Sequence, residues 1–386
     1  MVTVKILTRN LRPQCIGKVT YFVEELAEND LPRKAERAWE FVKDVVDQLS
    51  KYGCKRVERL GDVFLLEGED VKKIVFGDPF DKKSIRRIKR EISGKGVELE
   101  VVNDVSLISP EDIKPYKVFT PFRNKVLDIM AGIKQTPYMP CRIRMFDEAD
   151  KVLKRAMTMG DKYAKNRDNP SSEHGKTGLG PYLSRGLLCP IRVFHSLKNV
   201  EALQTQIVWR EFYNHLRYHN QDIDKIEWRE DRVGFNWNKS TVWWNRFKEG
   251  KTGFPLVDAG IRELIHTGYM HNRVRMVVAQ FLVKDLLIDW RKGERLFAKY
   301  LKDYDISSNA GNWQWNAGTG TDPEPFGKPR IFNPWSQQER HDPCGAYIAK
   351  WLDISKTPNP IVDHSERRTI YLNEVKRLKE NMKKNN

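Results

Sequence analysis

The apolar positions change their period part-way along the chain. Val2, Val4 and Ile6 alternate with polar neighbours like a short half-buried strand. Lys18–Val23, Arg56–Leu60, Val71–Phe76 and Val97–Val102 are further strand-like runs. Among them lies a helical pattern opened by Pro32, in which Ala35, Ala38, Trp39, Val42, Val45, Val46 and Leu49 keep a 3.6-residue period. Gly53 stands where a helix-ending glycine belongs. A basic helix is predicted over 82–93. Strands alternating with helices predict a Rossmann-like α/β domain with a mostly parallel sheet over residues 1–122.

Residues 123–150, with Pro137 and Pro140, read as a connector. From 151 to 386 the helical period dominates, which predicts a larger all-α domain. Helices are expected over 199–219, 256–267, 271–290, 293–302 and 365–386. Pro255 opens one of them and Gly268 follows its end. The Gly/Pro/Asn-rich stretches 166–181 and 305–335 carry too many Trp and Arg for linkers and read as ordered loops. No internal repeat is visible.

Composition narrows the function. The chain has 68 Lys and Arg against 52 Asp and Glu, a formal charge of +16. That excess suits a phosphate-rich partner, foremost nucleic acid, and is also compatible with a highly charged thermostable surface. The five cysteines are scattered singly, which argues against a disulfide scaffold, a zinc finger or an iron–sulfur cluster and suits a reducing cytoplasm. No metal site is expected. No apolar leader and no membrane-length apolar run occurs, so a cytoplasmic monomer without a membrane partner is expected.

Some residues suggest ligand chemistry by spacing alone. Asn272, Arg275 and Met276 lie at i, i+3 and i+4, on one helix face. They fit a large polar ligand, and equally a first helical turn with a surface arginine. Asp303, Asp305 and Asn309 are placed on a loop before Trp313. They can accept from ligand hydroxyls or ring N–H groups, or simply form Asx turns. The eleven tryptophans serve core packing, base stacking or electron hopping.

The stretch 251–322, from Lys-Thr-Gly-Phe-Pro to Asn-Ala-Gly-Asn-Trp-Gln-Trp-Asn-Ala-Gly-Thr-Gly-Thr-Asp, closely resembles the signature of the photolyase/cryptochrome family. Trp-Arg-Glu-Phe at 209–212 and Arg-Ile-Phe-Asn-Pro at 330–334 follow the same pattern in the same order. The resemblance is clear from about 163 to 352 and is nearest to enzymes that split cyclobutane pyrimidine dimers in DNA. It implies light-driven repair through reduced FAD.

The resemblance also assigns roles. Asn309 matches the residue facing the flavin N5; plant cryptochromes tend to carry Asp there and animal ones Cys. Tyr163, Arg210, Asn272, Arg275, Asp303, Tyr304 and Asp305 match positions in or near the flavin pocket. Lys176, Thr177, Gly178, Leu179 and Gly180 match the phosphate loop, with two of its usual hydroxyls missing; their backbone N–H groups can still hold a diphosphate. Trp313 and Trp290 match the inner members of a tryptophan electron wire. Its outer position is Phe247, and Trp244, one turn earlier, is the expected substitute. Trp209 and Trp315 match the aromatics that clasp the flipped dimer, and Arg167, Gln206, Asn272, Arg273, Met276 and Gln337 match the DNA side.

Two departures bear on the substrate. Gln206 stands where dimer-splitting enzymes carry Glu; (6-4) photolyases and many cryptochromes carry Gln. The histidine pair of (6-4) enzymes falls at Asn272 and Met276, so its acid is missing. The cyclobutane dimer is therefore expected, with a (6-4) photolyase or a cryptochrome-type blue-light receptor as the alternative. The family's opening motif appears as Thr8-Arg9-Asn10-Leu11-Arg12, close before Lys18, so the first domain reads as shortened. The resemblance leaves the antenna chromophore unassigned.

Overall fold

The computed structural model describes residues 2–6, 21–23, 55–57, 71–76, 78–103, 105–133, 144–321 and 328–385, with Glu40, Lys43, Asp44 and Asp47 as single helical positions. Apart from those four positions, the helix expected after Pro32 lies outside the described residues. So do Thr8–Arg12, Lys18, Pro137, Pro140, Cys15, Cys54 and Cys141.

Strands β1 (Val2–Ile6), β2 (Tyr21–Val23), β3 (Lys55–Val57), β4 (Val71–Phe76) and β5 (Glu98–Val101) form one sheet in the order β3-β2-β1-β4-β5. Every described pairing is parallel, with Val4 beside Ile74 and Ile74 beside Leu99. Strand order reverses at β1, as in doubly wound α/β sheets. Ile74, Val75 and Phe76 of β4 are buried, in keeping with the apolar runs of a central parallel strand. Helix α1 (Lys82–Ile92) follows β4, and its N-cap Asp81 accepts from the Ser84 N–H at 3.0 Å. Its Ile88 and Ile92 are buried, while Lys83, Arg86, Lys89 and Arg90 face solvent.

The rest of the described chain is helical. After β5 come α2 (Phe119–Gly132), α3 (Arg144–Met157), α4 (Gly160–Asn166), α5 (Gly180–Ser184), α6 (Pro190–Ser196) and α7 (Glu201–His219). Then follow α8 (Thr241–Lys248), α9 (Pro255–Thr267), α10 (Asn272–Gln280), α11 (Trp290–Tyr300), α12 (Ile306–Ala317), α13 (Pro334–His341), α14 (Ala346–Trp351) and α15 (His364–Asn385).

The chain forms two compact units. The first comprises Met1–Asp161, Thr177–Gln221 and Lys302–Ser307; the second comprises Lys162–Lys176, Asp222–Leu301 and Ser308–Asn386. In the first unit α2 buries Phe122, Val126 and Met130, a stripe at i, i+4 and i+8. Phe122 packs on Phe212 of α7 with ring centroids 5.3 Å apart. Burial of each such side chain contributes about 1.5–3 kcal/mol. In the second unit α9 starts on Pro255 and ends at Gly268, whose φ of +73° no side chain-bearing residue adopts cheaply.

Two expectations are corrected. The helix expected over 271–290 is broken: α10 ends in a π-helical turn at Phe281–Asp285, and Leu287 follows at φ +53°. Residues 277–288 are buried on every side, so only the hydrogen-bond ladder reveals the extra residue per turn. The reversal is held by Asn238, whose backbone N–H donates to the Leu287 carbonyl at 2.7 Å and whose side chain donates to the Leu286 carbonyl at 3.1 Å. The loop expected around Asn309 is helix α12. Its Ser-, Asn- and Gly-rich sequence has low intrinsic propensity, and tertiary bonds override that. The Gln314 amide donates to the Ile223 and Ile226 carbonyls at 2.7 and 2.9 Å and its carbonyl accepts from the Trp228 N–H at 2.8 Å.

Candidate active site

In the first unit, three successive residues of α7 fasten other segments of the chain. Trp209 stacks on Phe119 of α2, with centroids 3.5 Å apart and planes 5° from parallel. Arg210 donates to the Val105 carbonyl at 2.6 Å and to the Leu183 carbonyl at 3.4 Å, and lies 3.9 Å from the Asp305 carboxylate. The buried Glu211 carboxylate accepts from the Leu107 and Ile108 N–H groups at 2.9 and 3.2 Å. Gln206, one turn earlier, is half-buried and turns its amide to the Ala202 carbonyl at 3.5 Å.

The Asp303–Asp305 segment is positioned by the same unit. Arg185 donates to the Tyr304 carbonyl at 2.7 Å. A methyl group on Gly180 would lie 2.9 Å from the Asp303 side chain, so glycine leaves the room that this carboxylate occupies. Gly178 has φ +75°, and the Thr177 hydroxyl accepts from the Leu179 N–H at 3.3 Å. Residues 177–180 therefore form a tight turn into α5, a helix of only five residues.

In the second unit Asn309 is 9% exposed. Its side-chain NH₂ donates to the Glu294 carbonyl at 3.1 Å and to the Glu294 carboxylate at 3.0 Å. Its own carbonyl oxygen has no partner among the described residues. The pair thus fixes an amide in one orientation, with an acceptor left for a ligand.

The tryptophans separate by depth. Trp313 and Trp290 are fully buried. Trp313 meets Phe297 edge-on at 4.9 Å, and an added methyl on Gly293 of α11 would fall 2.2 Å from its ring. The indole N–H groups of both have no acceptor among the described residues. Phe247 is also fully buried, while its neighbour Trp244 is half-exposed at 5.9 Å between centroids. The ammonium groups of Lys248 and Lys292 lie 5.5 and 5.8 Å from the Trp244 ring.

The remaining residues expected to face DNA or flavin also lie in the second unit. Arg273 binds the Asp168 carboxylate at 2.8 Å. Burial opposes ionisation of Asp168, yet the bond from Arg273 and the charges of Arg273 and Arg167 hold its carboxyl below its ordinary range. Asn272 is exposed; Arg275 donates to the Met270 carbonyl at 2.7 Å, and Met276 is half-buried. Burial pushes the pKa of the Tyr163 hydroxyl up, making it a weaker acid. The Arg330 guanidinium lies 4.7 Å over the half-buried Trp315 ring. The Gln337 side-chain carbonyl is buried without a partner among the described residues. His271 caps α10 through Nδ1, which accepts from the Arg273 N–H at 3.2 Å; burial, then the Lys176 and Arg275 charges, push it down to about 3.

Sequence reasoning missed Phe119, Glu211, Arg185 and Glu294. Each acts across a long sequence gap that no local motif displays. No group of metal-ligating side chains occurs among the described residues. No helix among them is long and apolar enough to cross a membrane.

Residues 203–357 match the family described as the FAD binding domain of DNA photolyase. The chain is 34% identical over 321 residues to the deoxyribodipyrimidine photo-lyase of Escherichia coli (strain K12), covering 72% of this chain and 67% of that protein. A bacterial class III photolyase from Agrobacterium tumefaciens superposes with a TM-score of 0.82 at 25% identity, covering 98% of each chain. An archaeal photolyase from Sulfolobus tokodaii, solved with two FAD molecules, gives 0.82 at 26% identity, covering 98% of this chain and 100% of that one.

Proposed function

The chain belongs to the DNA photolyase family, and from that premise we propose that it uses FAD and light to split cyclobutane pyrimidine dimers in DNA. The observation that carries the reading is the Asn309–Glu294 pair. It leaves a carbonyl that cannot titrate as the contact for the flavin N5 edge. A carbonyl accepts from a protonated N5 and finds no donor on an unprotonated one, so this contact favours reduced FAD. The donor set fits the cofactor elsewhere too: Gly178 and Gly180 keep bare backbone in the phosphate loop.

Bound FAD would supply the light-driven one-electron chemistry that opens the dimer. The chain's part is to hold, orient and recharge. We assign the diphosphate to Lys176, Thr177, Gly178, Leu179 and Gly180, and the rest of the cofactor to Tyr163, Asn272, Arg275, Asp303, Tyr304, Asp305 and Asn309. Arg210 serves by fixing Asp305, since its guanidinium is engaged by backbone carbonyls.

Recharging is assigned to Trp313, Trp290 and Trp244 in that order. The inner two indoles have no acceptor for their proton among the described residues, so a positive hole there keeps its proton and passes outward. Phe247 is harder to oxidise than an indole and fully buried, and the half-exposed Trp244 provides the exit.

Dimer-containing DNA is assigned to Trp209 and Trp315 as stacking surfaces, and Arg167, Gln206, Asn272, Arg273, Met276 and Gln337 are assigned as further DNA contacts. Neither Asn272 nor Met276 can supply the proton that (6-4) repair requires. The domain boundaries 1–122, 123–150 and 151–386, a monomeric state and a cytoplasmic location complete the proposal. The test is repair of a dimer-containing oligonucleotide, blue light against dark. Light-dependent loss of the dimer is expected, and its absence with FAD bound and reduced would defeat the reading.

A further inference from the structure

Trp335 is the one aromatic among the large apolar side chains that stay exposed in the described residues, at 39%. Neither the sequence motifs nor the proposed site uses it. It is held firmly for an exposed side chain. Pro334 starts α13, and the Asn333 side chain accepts from the Trp335 and Ser336 N–H groups at 2.9 and 3.3 Å. The indole leans on Phe254 with centroids 5.0 Å apart, and Phe254, 1% exposed, packs on Phe281 at 4.7 Å. The ring is thus backed by the core and partly open to solvent. A ligand that stacks on it need not first order it.

The surroundings specify the ligand. Lys328 and Arg340 are exposed, and Arg330 covers Trp315 at 4.7 Å. Glu339 is the acidic residue of that stretch. Cations interleaved with aromatic rings are the arrangement by which proteins hold a nucleic-acid strand. The other exposed residues of α13 are Ser336, Glu339 and Arg340, all polar, which does not suit an apolar protein partner. Stacking needs an uncovered base face. An intact duplex offers none in its interior, whereas flipping a dimer leaves bases uncovered.

We propose that Trp335 stacks on a base left unpaired when the dimer flips out, and so adds to the preference for damaged DNA. This rests on the reading that the chain binds and repairs dimer-containing DNA.

The test uses the full chain with FAD bound, carrying Trp335→Ala or Trp335→Phe. Affinity is measured for matched duplexes with and without one dimer, across a salt series. The Ala variant is expected to bind the dimer duplex about 5- to 150-fold more weakly, the usual yield of one base–aromatic stack. The Phe variant should recover most of that loss. Binding to undamaged duplex and the salt slope should not change, because no phosphate contact is removed. Repair at saturating DNA should persist, which also shows that the variant is folded. Unchanged affinity of the Ala variant for the dimer duplex would overturn the proposal, as would an equal loss on both duplexes. If the unaltered chain shows neither dimer preference nor repair, the functional reading fails and the proposal falls with it.

Discussion

Glu294 takes both hydrogens that the Asn309 side chain can donate, through its backbone carbonyl at 3.1 Å and its carboxylate at 3.0 Å. The two residues lie on α11 and α12, and the pair is buried. Replacing Glu294 by Leu keeps bulk but removes the carboxylate. Asn309 is then held through the backbone carbonyl alone, which loosens the orientation of its amide. Accumulation of reduced FAD under blue light should slow, and stability should fall by about 1–3 kcal/mol, the cost of an unpaired buried group. Absorbance during illumination and a denaturant titration check both. Glu294→Gln keeps one acceptor and should stay near the parent. A Leu variant that reduces at the parent rate would separate Glu294 from the cofactor.

Trp244→Phe should cut photoreduction by an external reductant to a small fraction while leaving repair by pre-reduced enzyme nearly intact. Adding Phe247→Trp should restore it only in part. Position 247 is fully buried, and the larger ring there costs about 1–3 kcal/mol of overpacking. Transient absorption of tryptophan radicals is the measurement. Full photoreduction in the single variant would place the exit elsewhere.

Gly293→Ala should be among the most damaging small substitutions. The new methyl would stand 2.2 and 2.5 Å from two ring carbons of Trp313 and 2.6 Å from a Leu282 methyl. Atoms on both sides are core, so the strain falls on the α11 backbone or the indole, at about 1–3 kcal/mol or more. Thermal unfolding reads the cost. A melting temperature equal to the parent's would mean that the helix yields freely there.

Stability should depend on pH through His271. Its value falls from 6.5 in an open chain to about 3 in the fold, chiefly by burial and then by the Lys176 and Arg275 charges. Between those values the unfolded chain binds more protons. The stabilisation is therefore fully present above about 6.5 and is lost as pH falls toward 3, at up to about 1.4 kcal/mol per pH unit. His271→Asn retains a capping side chain and should flatten that slope. Denaturant titrations over this range decide, and identical slopes in the two proteins would exclude His271 as the source.

The sequence showed some of this directly and hid the rest for identifiable reasons. Helix α9 was legible because Pro255 and Gly268 mark its ends and apolar residues recur between them. Helix α12 was not, because its polar side chains are satisfied by residues as distant as Ile223. The break after α10 was invisible because residues 277–288 are buried on every side, so the run has no one-sided period for a π turn to shift. The candidate site followed the same rule. Asn309 and the tryptophans stood inside long motifs. Glu294 contacts Asn309 across fifteen positions, and Phe119 on α2 meets Trp209 on α7 with four helices, α3 to α6, between them in sequence.

Phe119 has a consequence for turnover. Its ring lies 3.5 Å from Trp209 and nearly parallel to it, so one indole face is already taken. On the proposed reading, in which Trp209 clasps the dimer, the dimer gains stacking from the remaining face of Trp209. That limits residence time as well as affinity: once the two bases are separate, each competes for its own partner in the duplex. A ring that grips from one side only lets the mended strand leave, and the same molecule is available for the next photon.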